Sequence, residues 1–126
     1  MKLKLHGNSI RLRLNRREVA HFAETGKLEE VFEHGPGPGK RLAYGIEARN
    51  IGQIGVRVDA AGIFVVLPLA VASDWTGSER VGVSGEADVS EGRHVSILVE
   101  KEFRRLHGAS NDPELYPNPL EAALKE

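Results

Sequence analysis

The sequence contains no cysteine. That excludes a disulfide scaffold, thiolate metal sites and a cysteine nucleophile. It fits a reducing cytoplasm, which is the expected location. Aromatic residues are scarce, with one tryptophan, two tyrosines and four phenylalanines. A surface that holds single-stranded nucleic acid by stacking needs several together. Here they are scattered, and only Tyr44 falls in a predicted strand with an open face. Long apolar runs are missing too. The longest, "GIFVVLPLAVA" at 62–72, is interrupted by Pro68 and falls short of the about 20 residues that span a bilayer. It reads as a buried strand leaving the core. No segment resembles a signal peptide, and no membrane contact is expected.

What the chain has is charge, unevenly placed. The formal net charge is −1, yet residues 1–17 hold six cations (Lys2, Lys4, Arg11, Arg13, Arg16 and Arg17) and no acid. All the carboxylates follow. Such asymmetry implies either two electrostatic faces or basic and acidic strands that pair. "KLKL" and "IRLRL" alternate with period two, so each predicts a half-buried strand. Leu3 and Leu5 face one way, as do Ile10, Leu12 and Leu14; Lys2, Lys4, Arg11 and Arg13 face the other. Gly7 and Asn8 suit the tight turn between them.

The next stretch, "NRREVAHFAETG", predicts a helix over about 16–25. Asn15 is its N-cap, Glu18 completes a capping box, Val19 and Phe22 form its buried face, and Gly26 stops it. "KLEEVFE" predicts a short strand, "GPGPG" at 35–39 a loop, and 41–49 another strand. Residues 54–58 and 63–67 predict a hairpin. "PLAVASDWTG" predicts a short helix with proline at its start. "RVGVSG" and "HVSILVE" are the last strand candidates. "FRRLHG" predicts a further short helix closed by Gly108. The tail would pack through Leu115 and Tyr116 and end in a weak helix at "PLEAALKE". No internal repeat is legible. The reading is a single α+β domain over 1–108, mostly antiparallel sheet of about seven strands, with a curled half-barrel as one arrangement. A proline-punctuated tail follows over 109–126.

Catalytic patterns are weak. "HGPGPGKR" resembles a phosphate loop but has His34 at the required glycine and Arg41 at the required hydroxyl, and its prolines lack N–H donors. A flexible linker is the plainer reading, with Lys40 and Arg41 free to touch an anion. His6, His21, His34, His94 and His107 show no metal-ligand spacing. No serine lies in a nucleophile elbow, and no carboxylate pair stands out for acid–base work. No metal and no cofactor is expected. The four hairpin cations, with Arg57 joining from a neighbouring strand, form the one candidate surface. Arginines suit bidentate contacts to phosphate. On the plainer reading these cations pair with Glu47, Glu100 or Glu102.

Two resemblances follow from these motifs. "MKLKLHGNSIRLRL", "ILVEKEF" and "YPNP", in that order, resemble an uncharacterised family of small bacterial cytoplasmic proteins, a domain of unknown function. Members often carry a cysteine near the position of Arg105, where this chain has none. More locally, "GNSIRLRLNRREV" is similar to the opening of swapped-hairpin antitoxin DNA-binding domains, although Leu14-Asn15 replaces their Ile-Pro. That likeness implies a homodimer contacting DNA through Asn8, Ser9, Arg11 and Arg13.

The sequence therefore predicts a domain that binds rather than catalyses. Its partner would be an anion met through Lys2, Lys4, Asn8, Ser9, Arg11, Arg13 and Arg57. Two alternatives remain open. One is a dimeric nucleic-acid binder. The other is a metal-dependent phosphate-handling enzyme whose curled sheet has a cationic interior, with Glu47, Glu100 and Glu102 as its carboxylates.

Overall fold

A computed structural model describes residues 1–103 and Tyr116. The opening hairpin pairs β1 (Lys2–His6) with β2 (Ser9–Leu14). Gly7 turns it at φ 54°, a conformation that costs glycine little. Helix α1 (Arg16–Thr25) starts on the predicted capping box. The Glu18 N–H donates to Asn15 Oδ1, and the Asn15 N–H donates to Glu18 Oε1, both at 2.9 Å. Gly26 ends the helix at φ 76°. There follow β3 (Lys27–Glu33), β4 (Arg41–Arg49), β5 (Gly55–Asp59), β6 (Gly62–Pro68), α2 (Leu69–Gly77), β7 (Gly82–Ser90) and β8 (Arg93–Lys101). The predicted helix at "FRRLHG", Leu115 and the "PLEAALKE" helix lie outside the described residues.

The α+β domain with mostly antiparallel sheet is what forms. Its strands divide between two four-stranded sheets that do not close into a barrel, where the sequence suggested one curled half-barrel. The first sheet has the order β1-β2-β8-β7 and the second β3-β4-β6-β5. Each is two antiparallel hairpins joined by one central parallel pair, β2·β8 or β4·β6.

That symmetry corrects the reading that the chain holds no repeat. Its element order is ββαββ twice. Equivalent residues stand 53 positions apart: 12 and 65, 22 and 75, 47 and 100. In β3 and β7 the spacing widens, so that Leu28 and Val83 both face equivalent partners, Ile46 and Val99. The repeat escapes the sequence because burial survives where identity does not. Among strand pairs only Ile10/Ile63, Leu14/Leu67 and Glu47/Glu100 remain identical.

Both sheets and both helices share one core. Leu12 and Leu14 meet Ile46, Val65, Leu67 and Val99, with Phe22 and Trp75 between the helices. Each such side chain contributes about 1.5–3 kcal/mol on burial. The equivalent rings Phe22 and Trp75 lie 6.3 Å apart, tilted by 56°. The indole N–H donates to the Val81 carbonyl at 3.1 Å. Side chains, rather than backbone hydrogen bonds, fill the seams between sheets. At one, Ile54 packs so closely on Gly85 that a Cβ there would overlap it. At the equivalent seam the Met1 ammonium bonds to Glu18 and Glu30, and the Tyr44 hydroxyl donates to Glu30 at 2.8 Å. Burial and that carboxylate push the Tyr44 hydroxyl up to about 12. One seam is thus apolar and the other ionic.

Tyr116 docks beside β8. Its N–H donates to the Glu102 carbonyl at 2.8 Å. Its ring packs 5.7 Å from Phe103, and the Arg16 guanidinium lies 5.4 Å from the ring centroid.

Candidate anion-binding face

Strand alternation decides which side of the first sheet meets solvent. With Ile10, Leu12 and Leu14 buried in the core, Arg11 and Arg13 must point outward. The hairpin register sets Lys4 opposite Arg11 and Lys2 opposite Arg13. The four cations line a groove of about 210 Å³. On the other side of β2, the parallel β8 sets Leu98 beside Arg11 and Glu100 beside Arg13. One oxygen of Glu100 accepts from Arg11 Nε at 2.7 Å and from Arg13 Nε at 2.8 Å. Lys2 pairs with Glu102. Lys4 is exposed and has no partner among the described residues. Two carboxylates therefore face four cations.

A second groove, about 460 Å³, adjoins the first and shares Arg11. Its lining includes Ser9, Ser84, Ser96, Leu98 and Glu86. The register explains this grouping. Ser9, Ser96 and Glu86 form one row across the strands, and Arg11, Leu98 and Ser84 the next. The face is graded, from cations on β1 and β2, through hydroxyls at its centre, to the carboxylates Glu86 and Asp88 on β7. Asp88 holds His94 Nδ1 at 2.7 Å at this acidic edge.

Of the residues singled out by sequence, Lys2, Lys4, Arg11 and Arg13 are brought together. Ser9 joins the second groove, its hydroxyl donating to the His6 carbonyl at 2.6 Å. Asn8 ties the hairpin turn to β8 by donating to the His94 carbonyl at 2.6 Å. Arg57 does not join the row, because β5 is an edge of the other sheet. Its Nε donates to Glu47 at 2.8 Å, its terminal nitrogen pairs with Asp59, and its guanidinium covers the Phe64 ring at 4.5 Å. Glu47 also meets Arg49 at 3.2 Å. The Arg57 hydrogen bond, against the opposing effect of burial, holds the Glu47 carboxyl below its usual range. The plainer expectation, that these cations pair with Glu47, Glu100 or Glu102, describes the pairs of Lys2, Arg11, Arg13 and Arg57 but not Lys4.

A cationic sheet interior is not what forms. The side of the sheets enclosed with the helices is lined mainly by leucine, valine and isoleucine, because Arg11, Arg13 and the β1 lysines alternate to the outer face, although Lys101 shares the inner face with Ile97 and Val99. No group of three metal-ligating side chains is assembled among the described residues. Strand β2 is paired on both sides within its own chain, and β1 is an edge of the sheet. In the glycine-proline loop the His34 N–H donates to the Lys40 carbonyl, and Arg41 approaches Glu33 at 3.6 Å. Apart from these sites, Lys101 is buried and donates to the Ser78 carbonyl at 2.7 Å. Burial, only partly opposed by Glu79, pulls its ammonium below the usual lysine range.

Sequence reasoning missed Ser84, Ser96, Leu98 and Glu86. The alternation in "VSGEAD" and "HVSILVE" marks their polar faces. Only the parallel pairing of β2 with β8 shows that those faces adjoin the basic hairpin.

Fold and site together define a small α+β domain of two ββαββ halves with one open, cation-edged sheet face. The chain belongs to DUF7009, a family of unknown function, which matches residues 1–120. No curated protein and no solved structure matches it. No helix among the described residues is long and apolar enough to cross a membrane.

Proposed function

We propose that this domain acts by binding an anionic partner on the outer face of its first sheet. The observation that carries the reading is the row Lys2, Lys4, Arg11 and Arg13, gathered in one groove and only half neutralised. Glu100 does not close the site. The carboxylate is half-buried, but its arginine partners are about 40% exposed and solvent screens the pair to about 1 kcal/mol, so an incoming phosphate can replace this carboxylate at modest cost. Arginine Nε and terminal nitrogens then offer charge-assisted bonds to the new oxygens.

The test is binding of tripolyphosphate, duplex DNA and RNA to the full chain over a salt series. Binding at low salt that weakens as salt rises is expected, since screening acts on exposed charge. Arg11→Ala/Arg13→Ala should lower the affinity at least about tenfold, because hydrogen bonds to charged groups are the stronger class. Failure of all three probes to bind at low ionic strength would overturn the reading.

A further inference from the structure

We infer that the ligand is a small hydroxylated phosphate monoester rather than a polyanion. Its phosphate would lie among Lys4, Arg11 and Arg13, and its body over Ser96, Ser84 and Leu98. This rests on the anion-binding reading and narrows it.

Three observations support the choice. First, the face is graded across the strands. A chain of phosphates laid over it would meet the cations at β1 and β2 but then Glu86 and Asp88 on β7, where like charge repels. A ligand charged at one end only avoids that repulsion. Second, the larger groove presents serine hydroxyls and the Glu86 carboxylate around the half-buried Leu98. Hydroxyls can donate and accept, and a carboxylate accepts, so this set matches a polyol whose C–H face rests on leucine. Third, no aromatic side chain among the described residues lies on either groove, so unstacked bases find no platform there. The larger groove, about 460 Å³, is of the size that small ligands occupy, and the smaller, cation-lined groove of about 210 Å³ adjoins it.

The experiment is calorimetric titration of the full chain with inorganic phosphate, glucose 6-phosphate and a short single-stranded oligonucleotide. Glucose 6-phosphate should bind about tenfold more tightly than phosphate, the increment expected from about two added hydrogen bonds. Ser96→Leu and, independently, Ser84→Leu should remove that increment and leave phosphate binding intact. Both serines are exposed, and circular dichroism checks that each variant folds. Lys4→Ala should weaken both ligands alike. Equal affinity for phosphate and glucose 6-phosphate, or an increment untouched by both leucine variants, would overturn the inference while the anion-binding reading stands. So would an oligonucleotide that binds more tightly than either and ignores Ser96→Leu. If no probe binds, both readings fall.

Discussion

The two sheets turn equivalent outer faces to solvent, and the chain has used them differently. Glu47 and Glu100 occupy the same place in the repeat, as do Arg57 and Lys4. In the second sheet, however, the positions of Arg11 and Arg13 are taken by Phe64 and Val66. Arg57 and Lys27 lie over the Phe64 ring at 4.5 and 5.2 Å, and Glu47 is buried beneath them. Charge there is paired over an apolar floor, which makes it part of the structure. In the first sheet Glu100 binds two arginines that remain about 40% exposed, and Lys4 binds nothing described. One scaffold thus has a face closed by paired charge over an apolar floor and a face whose cations stay exposed.

The comparison breaks most severely at Gly45, the equivalent of Leu98. Backbone of β3 crosses so near Gly45 that a Cβ would overlap the Leu28 carbonyl oxygen, whereas Leu98 has room on its face. Gly45→Ala should cost about 3 kcal/mol in urea unfolding, the upper range for overpacking against backbone. Leu98→Gly should cost only about 1.5 kcal/mol, from backbone entropy in a strand and the loss of a half-buried side chain. Similar losses at the two sites would mean that the outer faces are packed alike.

Glu47→Gln comes next. It leaves Arg57 with a weaker partner at a largely buried site, and a loss of about 2 kcal/mol is expected, below the range for fully buried pairs. The same pair predicts a pH dependence. The folded Glu47 carboxyl titrates below its ordinary value of 4.5, first through the Arg57 hydrogen bond. The unfolded chain therefore takes up a proton before the folded one does. The stabilisation is fully present above about 4.5 and is lost as pH falls through the lower folded value. Wild type and Glu47→Gln should accordingly converge in stability as the medium is acidified. A gap that stays constant into acid would show that Glu47 acts by packing rather than charge.

How much of this was legible in the sequence depends on the range of the interaction. Helix α1 was readable to its caps because Asn15, Glu18 and Gly26 act within one turn of each other. The inward leucines and outward arginines of β2 were readable because alternation is local. The placing of Arg57 was not. "VRV" shows that its side chain shares a face with other outward residues, but not which sheet receives that face. The serine-lined groove was hidden for the same reason, since Ser9, Ser84 and Ser96 adjoin only through long-range pairing. The repeat was hidden because a core selects for apolar volume. Valine, alanine and tryptophan in the second half do the work of leucine, valine and phenylalanine in the first.

The smallest effect on stability, and the sharpest test of the open face, is expected at Glu100. It is the counterpart of Glu47 and differs from it in exposure and in partners. If the first face is built to exchange its internal counter-ion for a ligand, Glu100→Gln should change stability by no more than about 1 kcal/mol, because its arginine partners stay about 40% exposed. The same substitution should tighten tripolyphosphate binding severalfold, because a competing carboxylate and its repulsion are removed together. A glutamine here keeps the shape and one acceptor oxygen, so the arginines stay ordered while their charge is released. Should Glu100→Gln instead destabilise the chain as much as Glu47→Gln and leave tripolyphosphate affinity unchanged, the two faces would be alike. The basic hairpin would then be a second structural ion-pair layer rather than a site.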